Sequence, residues 1–511
     1  DEIEFLRSHI MFLETRGYSV IPVFSGDDAI DMISKDPRGF DIVLLDEQMP
    51  GKDGLTTLEE IKEFQPELPV VMVTKSEEEN VMENALGKKI DGYLTKPVNP
   101  SQILMICKRL LESTQIISSQ ISQKFIRNVS ETRAALANHP DVKGWIALHA
   151  NMTKWDIELE KVNDEGIRQT HAGQRSDANS AFCSFVAERY PAWVKGKNNP
   201  PPLSDSVVGN HLAPLLRQGR KVCFIVLDSM RLDQYLTIET FLRKYFSITR
   251  HSFFSILPTE AQFSRTSLFA GLLPRAAAQA FPEILSPAGE NGEPGALLES
   301  RLLGENLRRL GLSIPDPACF RIADSGDAQG LLKTLPSHDS DQLIALVVDF
   351  MRILTHSSST SVVLREIAPD ENAFRLMTKS WFQFSVLFQI MRECAYKGRT
   401  VVLTSAHGSV FCTRSVDLYG TKSLRESSRH QYGERISCDE RYAVVLSDPS
   451  YYQLPDTSGG TVHAIARENY YFVNPGKFEN YQQQYRTTFQ HGGISLDEMI
   501  VPLAIMTPLM S

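Results

Sequence analysis

Cysteine is scarce: seven residues in 511 (Cys107, Cys183, Cys223, Cys319, Cys394, Cys412 and Cys438), an odd number with no C-x-x-C pair. That spacing excludes a disulfide framework and a cysteine-based zinc site, and suits reduced thiols in a cytoplasm. Basic surplus is also missing. Lys and Arg number 53 against 62 Asp and Glu, a net charge of −9, so broad non-specific binding of nucleic acid or membrane is not expected. A local basic cleft remains compatible with that average. Long hydrophobic runs are absent too. The longest, such as VCFIVL and LIALVV, fall far short of a bilayer's thickness. The first residues, DEIEFLRSHIMFLE, are acidic and amphipathic, unlike a signal peptide. No internal repeat is visible.

What is present is an ordinary globular composition, 42% hydrophobic and 23% charged, in a chain too long for a single core, since cores stop growing near roughly 250–300 residues. Three segments are expected. Residues 1–111 alternate strand candidates (YSVIPVFS, FDIVLLD, LPVVMVT, DGYLTKP) with helical patterns such as GLTTLEEIKEF. That rhythm predicts a doubly wound parallel α/β sheet. Residues 112–205 lose the strand signal and read as a helical-bundle linker closed by the Pro-rich KGKNNPPPLSD. Residues 206–511 return to α/β alternation, with KVCFIVLDS, DQLIALVVDF, TVVLTSAHG and YAVVLSD as expected central strands of a second, larger sheet.

In the first segment Asp46 ends a strand before a Pro-Gly turn, Thr74 ends the next, and Lys96 ends the last in YLTKP; the chain opens on Asp1-Glu2. Ligands of open α/β sheets bind at that carboxyl edge. Acids there hold a divalent cation, while a hydroxyl and an ammonium meet the oxygens of a phosphorylated aspartate. Unrelated strand-end caps are the bland alternative. The segment resembles the receiver domain of a two-component response regulator. That resemblance implies Asp46 as phosphoacceptor and Mg²⁺ held by Asp1, Asp46 and the backbone carbonyl of Gln48. It also implies Thr74 and Tyr93 as the switch pair, and Lys96 as the phosphoryl contact. Receivers begin with a central strand before the acidic motif. The resemblance therefore implies a first strand missing here and residues preceding Asp1.

The third segment carries Asp228 after VCFIVL, Thr259 after a proline in SILPTEAQFSRTSLF, then Asp349, His356, His407 in TSAHGS and His491 in FQHGGISLDEM. Carboxylates and imidazoles at strand ends, with a hydroxyl at a helix start, suit zinc-assisted phosphoryl chemistry. The order resembles the alkaline phosphatase superfamily, in particular its PglZ branch. Receiver, helical linker and PglZ domain together are similar to PorX-type response regulators. What that family implies is a zinc-dependent phosphodiesterase acting on oligonucleotides, regulation of type IX secretion, a sensor histidine kinase upstream and dimerisation on phosphorylation. It further implies a sigma factor or secretion-system component downstream. Carried over residue by residue, one zinc would take Asp228, Thr259, His407 and an aspartate just before it. The other would take an aspartate four residues before His356, with His356 and His491. Those aspartate positions hold Ala406 and Arg352. At an effective dielectric of ~20, a unit charge about 4 Å from a divalent ion costs about 8 kcal/mol, so the second site is expected empty and the first weak. Asp349, seven residues before His356, is the candidate replacement.

Simpler readings stand beside these. Thr259 with Gln262 makes a T-x-x-Q capping box, and each histidine can be a hydrogen-bonded core residue. Arg352 can contact an anion, or merely pair with Asp228 or Asp349. SSRHQYGERI, with Arg429, His430, Tyr432 and Arg435, reads as a solvated loop or a nucleotide groove. No helix-turn-helix follows the receiver, which disfavours direct duplex DNA binding. Two functional classes result: a phosphorylation-controlled regulator with a degraded phosphodiesterase as output, or a working zinc phosphodiesterase with altered ligands.

Overall fold

A parallel strand buried on both faces must be apolar at every position, and the unbroken runs of the sequence mark where such strands form. The computed structural model describes residues 2–36, 39–49, 51–74, 90–162, 164–282, 295–314, 317–420, 427–455 and 461–509; of residues 2–6, 112–118, 295–296, 356–358 and 360 it describes the backbone alone. Chain contacts divide it into two compact units, Asp1–Ile126 and Arg127–Ser511.

In the first unit β1 (Val43–Asp46), β2 (Val70–Thr74) and β3 (Gly92–Thr95) form a parallel sheet in that order. Helices Gly26–Lys35 and Gly54–Phe64 bury Ile33, Leu58 and Ile61 with Leu45, Val70 and Met72. Each helix starts at a side-chain cap. Ser25 accepts from the Asp28 amide at 3.1 Å and Asp53 from the Thr56 amide at 2.7 Å. The expected strand YSVIPVFS does not form: Tyr18–Phe24 is irregular. A strand exists only through a partner ladder, and among the described residues this segment has none. Ile21 and Phe24 are accordingly 55% and 75% exposed.

The second unit is built on a six-stranded mixed sheet. Its strands are β4 (Val222–Leu227), β5 (Phe246–Phe254), β6 (Ala318–Ile322), β7 (Leu343–Val348), β8 (Thr400–Thr404) and β17 (Ile500–Pro508), in the order β5-β17-β8-β4-β7-β6. The strands β6, β7, β4 and β8 are parallel, while β17 runs against both β8 and β5. All of β4 and β7 is buried. Smaller sheets hold the remaining strands. One joins β9 (Val410–Cys412) to β16 (Thr488–Gln490), and another joins β12 (Ser437–Cys438), β10 (Arg414–Tyr419) and β15 (Tyr470–Val473). The third joins β11 (His430–Glu434), β14 (Thr461–Ala466) and β13 (Ala443–Leu446). The expected central strand YAVVLSD is therefore β13, an edge of an antiparallel sheet with two partly exposed positions. Four apolar residues fit that half-buried place as well as a central one.

Helices Val142–Glu158 and Glu165–Trp193 of the linker segment share one core with this unit: Trp145, Phe182, Tyr190 and Trp193 pack with Phe254, Leu257, Leu496 and Met499. Among the described residues no helix is long and apolar enough to cross a membrane.

Candidate functional site

Parallel strands in register bring their last residues to one edge, and both units use that edge. In the first, Asp46 pairs in register with Val73, and Thr74 with Thr95. The Lys96 amide donates to the Thr74 carbonyl at 2.7 Å. Lys96 Nζ ion-pairs with Asp46 Oδ2, a contact whose side chains stay 23% and 35% exposed. The Gln48 amide lies 3.4 Å from Asp46 Oδ1. Thr74 Oγ1 donates to Glu47 Oε2, a carboxylate that the motif did not single out. Tyr93 is half-buried against the core around Ile33 and Leu45. A Cβ on Gly54 would lie 2.3 Å from the Asp46 carbonyl oxygen, so this turn after β1 requires glycine. Asp1 lies outside the described residues.

In the second unit β4 and β7 run in register to Leu227 and Val348, and the Asp228 amide donates to the Val348 carbonyl at 3.1 Å. Next door, Val226 pairs with Thr404 of β8, so Asp228, Asp349 and the Ser405–His407 turn leave the sheet together. Asp228 is fully buried. Its Oδ2 accepts from Arg265 Nη1, and its Oδ1 has no hydrogen-bond partner among the described residues. Arg265 also reaches Glu299 through Nε, at 2.9 Å. Asp349 accepts from Arg321 Nε at 2.7 Å and from Arg352 Nε at 3.1 Å. Burial by itself would raise the Asp349 carboxyl, but the Arg321 hydrogen bond and charge, followed by Arg352, hold it below its ordinary value. Glu299 goes the other way: burial pushes it up to about 7, against the pull of Arg265 and Arg321. Arg352 thus pairs with Asp349 and not with Asp228, which Arg265 holds.

Thr259 is fully buried and does not cap a helix. Helix Ala261–Ala270 begins after Glu260, with no side-chain cap. Thr259 Oγ1 donates to the Gly493 carbonyl at 2.9 Å, accepts from the Gly492 amide at 3.0 Å, and lies 3.3 Å from Glu498 Oε1. The alternative T-x-x-Q box does not form; this longer-range network stands in its place. His491 Nδ1 donates to the Thr259 carbonyl at 3.2 Å, and its ring lies 4.4 Å, centroid to centroid, from that of His407. His407 Nδ1 sits 2.8 Å from the Gly408 carbonyl. His356 lies on helix Phe350–Thr360; its side chain is outside the described residues. Nor does SSRHQYGERI open a groove with Arg429. That guanidinium is fully buried, with Nη2 2.8 Å from Glu498 Oε2. His430 is buried between Glu260 (3.0 Å) and His463 (2.9 Å). Burial, then the neighbouring His430, lowers His463 to about 3.

The donors among the described residues do not fit two zinc ions. Asp228, Glu299 and Asp349 are each already bonded to a guanidinium. Ala406 supplies a methyl group, and its carbonyl accepts from Ser255 Oγ at 2.9 Å. Among the described residues no three His, Cys, Asp or Glu side chains converge as a metal requires. Arg265, Glu299, Arg321 and Glu498 escaped the sequence reading, because ion pairs between distant segments leave no local period.

Three family models match the chain in order: a response regulator receiver domain over 1–108, a PorX response regulator linker domain over 115–194, and a BREX system PglZ alkaline phosphatase-like domain over 207–506. Among solved structures, the receiver domain of NtrX from Brucella abortus is 28% identical, covering 22% of this chain and 92% of its own with a TM-score of 0.20. A CheY-like receiver domain protein from Methanospirillum hungatei is 27% identical, covering 22% and 87%, with a TM-score of 0.21. The chain belongs to the PglZ alkaline phosphatase-like family, and with its receiver and linker in front it has the domain order of a PorX-type response regulator.

Proposed function

We propose that the chain is a two-component response regulator phosphorylated on Asp46, and that its PglZ domain signals through conformation, dimerisation and partner binding rather than by zinc-dependent hydrolysis. The observation that carries the second half is the engagement of Asp228 and Asp349 by Arg265, Arg321 and Arg352. A zinc ion would have to displace guanidiniums from carboxylates shut away from water, where a charge left unpaired is costly.

In the receiver, the carboxylate of Asp46 and the carbonyl of Gln48 are hard oxygen donors of the kind Mg²⁺ takes, and Asp1 would complete the set. Mg²⁺ there would offset charge as a sensor histidine kinase transfers its phosphoryl group. Lys96, already on Asp46, would then meet the new phosphoryl oxygens, with Thr74 beside it. The PorX-type order supports a downstream partner in type IX secretion, a secretion-system component or a sigma factor, and a nucleotide or oligonucleotide remains the ligand class for the PglZ surface.

Two measurements test this. Acetyl phosphate should label the full chain, and Asp46→Asn should abolish the label; persistent labelling of that variant overturns the phosphoacceptor. Purified wild-type chain should carry less than one zinc, and the Ala406→Asp/Arg352→Asp double variant more. Two zinc ions per wild-type chain, with cleavage of a generic phosphodiester, would establish the working enzyme instead.

A further inference from the structure

The turn after His491 touches both sides of the second unit. Its helix Leu496–Met499 is capped by Ser495, whose Oγ accepts from the Glu498 amide at 3.2 Å. Asp497 and Glu498 are consecutive, both buried, and they face opposite ways. Asp497 faces the linker helices: its oxygens accept from Arg175 Nη2 at 2.6 and 2.7 Å, and Oδ1 lies 3.2 Å from His149 Nε2. Arg175 continues to Asp156 at 2.8 Å, and Asp156 to His171 at 2.8 Å. Two further linker contacts reach the same turn. Asn179 Oδ1 accepts from the Leu496 amide at 2.9 Å, and Cys183 Sγ donates to the Ile494 carbonyl at 3.0 Å.

Glu498 faces the candidate site. Its Oε1 accepts from the Gly493 amide at 2.9 Å and from Arg429 Nε at 3.0 Å, and lies 3.3 Å from Thr259 Oγ1. The backbone of the pair props His407 from behind. The Gly408 amide donates to the Glu498 carbonyl at 3.0 Å, and a Cβ on Gly408 would lie 1.9 Å from the Asp497 carbonyl oxygen. Thr259, His407 and the Gly492–Gly493 turn beside His491 are therefore all seated on one short element, and the linker grips that element by its buried carboxylate.

We infer that the Asp497–Glu498 pair couples the linker helices to the buried Thr259–His407–His491 cluster: displacing helix Glu165–Trp193 pulls on Asp497 and unseats Thr259 and His407 through Glu498. This deepens the proposed function, since it rests on that cluster belonging to the regulated output, and it supplies a rigid contact route by which packing on one side biases the other. The ion pair suits the task because it is buried. Screened surface pairs yield at little cost, whereas a buried one transmits displacement to whatever shares its backbone.

The test is hydrogen exchange on the full chain, which depends on neither phosphorylation nor metal and so fails independently of the proposed function. Arg175→Gln is expected to speed exchange about tenfold in segments 404–412 and 488–494 as well as in helix Glu165–Trp193. Leu331→Ala, on helix Ser325–Thr334 packed against the edge strand β6, should leave both segments at wild-type protection. Should Arg175→Gln fail to fold, Asn179→Ala removes a single hydrogen bond and is expected to give the same pattern at about threefold. Loosening of the linker helix with segments 404–412 and 488–494 unchanged would overturn the coupling. So would equal loosening of those segments by Leu331→Ala.

Discussion

The two units place an aspartate at the same kind of strand end and then treat it differently. Asp46 meets Lys96 where both side chains remain about a quarter to a third exposed, at 35% and 23%. Asp228 is sealed at 0%, its partner Arg265 at 17%, and a second carboxylate, Glu299, shares the guanidinium. An ammonium on a flexible stem, at a wet edge, exchanges partners at little cost. A planar guanidinium wedged between two buried carboxylates does not, because releasing it strands charges out of water. The first arrangement leaves its carboxylate within reach of solvent; the second has its cation built in.

The largest effect should come from breaking the closed pair. Arg265→Met leaves Asp228 and Glu299 without their guanidinium, and full-chain urea unfolding should register a loss of about 3–5 kcal/mol in the second unit's transition. The double variant Arg265→Met/Asp228→Leu should lose less than the sum of its single changes, since neither member then leaves the other uncompensated. Additive losses would mean that the two side chains are not a functional pair.

Glu299 gives the next largest effect and the clearest sign. Burial lifts its carboxyl from the ordinary 4.5 to about 7. Between those values the native state holds a proton that the unfolded chain releases, so stability falls as pH rises through the window, and the loss is complete above it. The full shift corresponds to about 3 kcal/mol. Glu299→Gln, which keeps an oxygen for Arg265, should therefore be more stable than wild type by up to about 3 kcal/mol at pH 8, with the gap closing by pH 5. Thermal unfolding across that range reads it directly, and a gap that widens toward acid would reverse the assignment.

The contrast between the two edges also explains how much of the molecule was legible in its sequence. The runs at Val222–Leu227, Leu343–Val348 and Thr400–Thr404 announced themselves because parallel strands covered on both faces must be apolar throughout. Phe246–Phe254 did not, since as a sheet edge it mixes Ser247, Thr249 and Arg250 with its apolar residues. Tyr18–Phe24 has strand composition without a partner, and composition cannot supply one. Lys96 was legible beside Asp46 because both sit in short motifs at strand ends. Arg265, Glu299 and Arg321 belong to three separate segments, and only the fold brings them to Asp228 and Asp349. The sequence shows Ala406 and Arg352 at their positions; which cations pair with Asp228 and Asp349 is a question of packing.

The smallest effect completes the comparison. Lys96→Gln removes the ammonium from Asp46 at an edge that water and salt reach, so the first unit should lose less than about 1 kcal/mol. What little the pair contributes should vanish at 1 M salt, where the screening length falls to about 3 Å. The buried Arg265 pair should keep its effect there, because solvent ions do not enter between its members. Measuring both variants in low and high salt separates the two edges by their response rather than by their size. A Lys96→Gln loss that survives 1 M salt would mean that the receiver edge is as closed as the other.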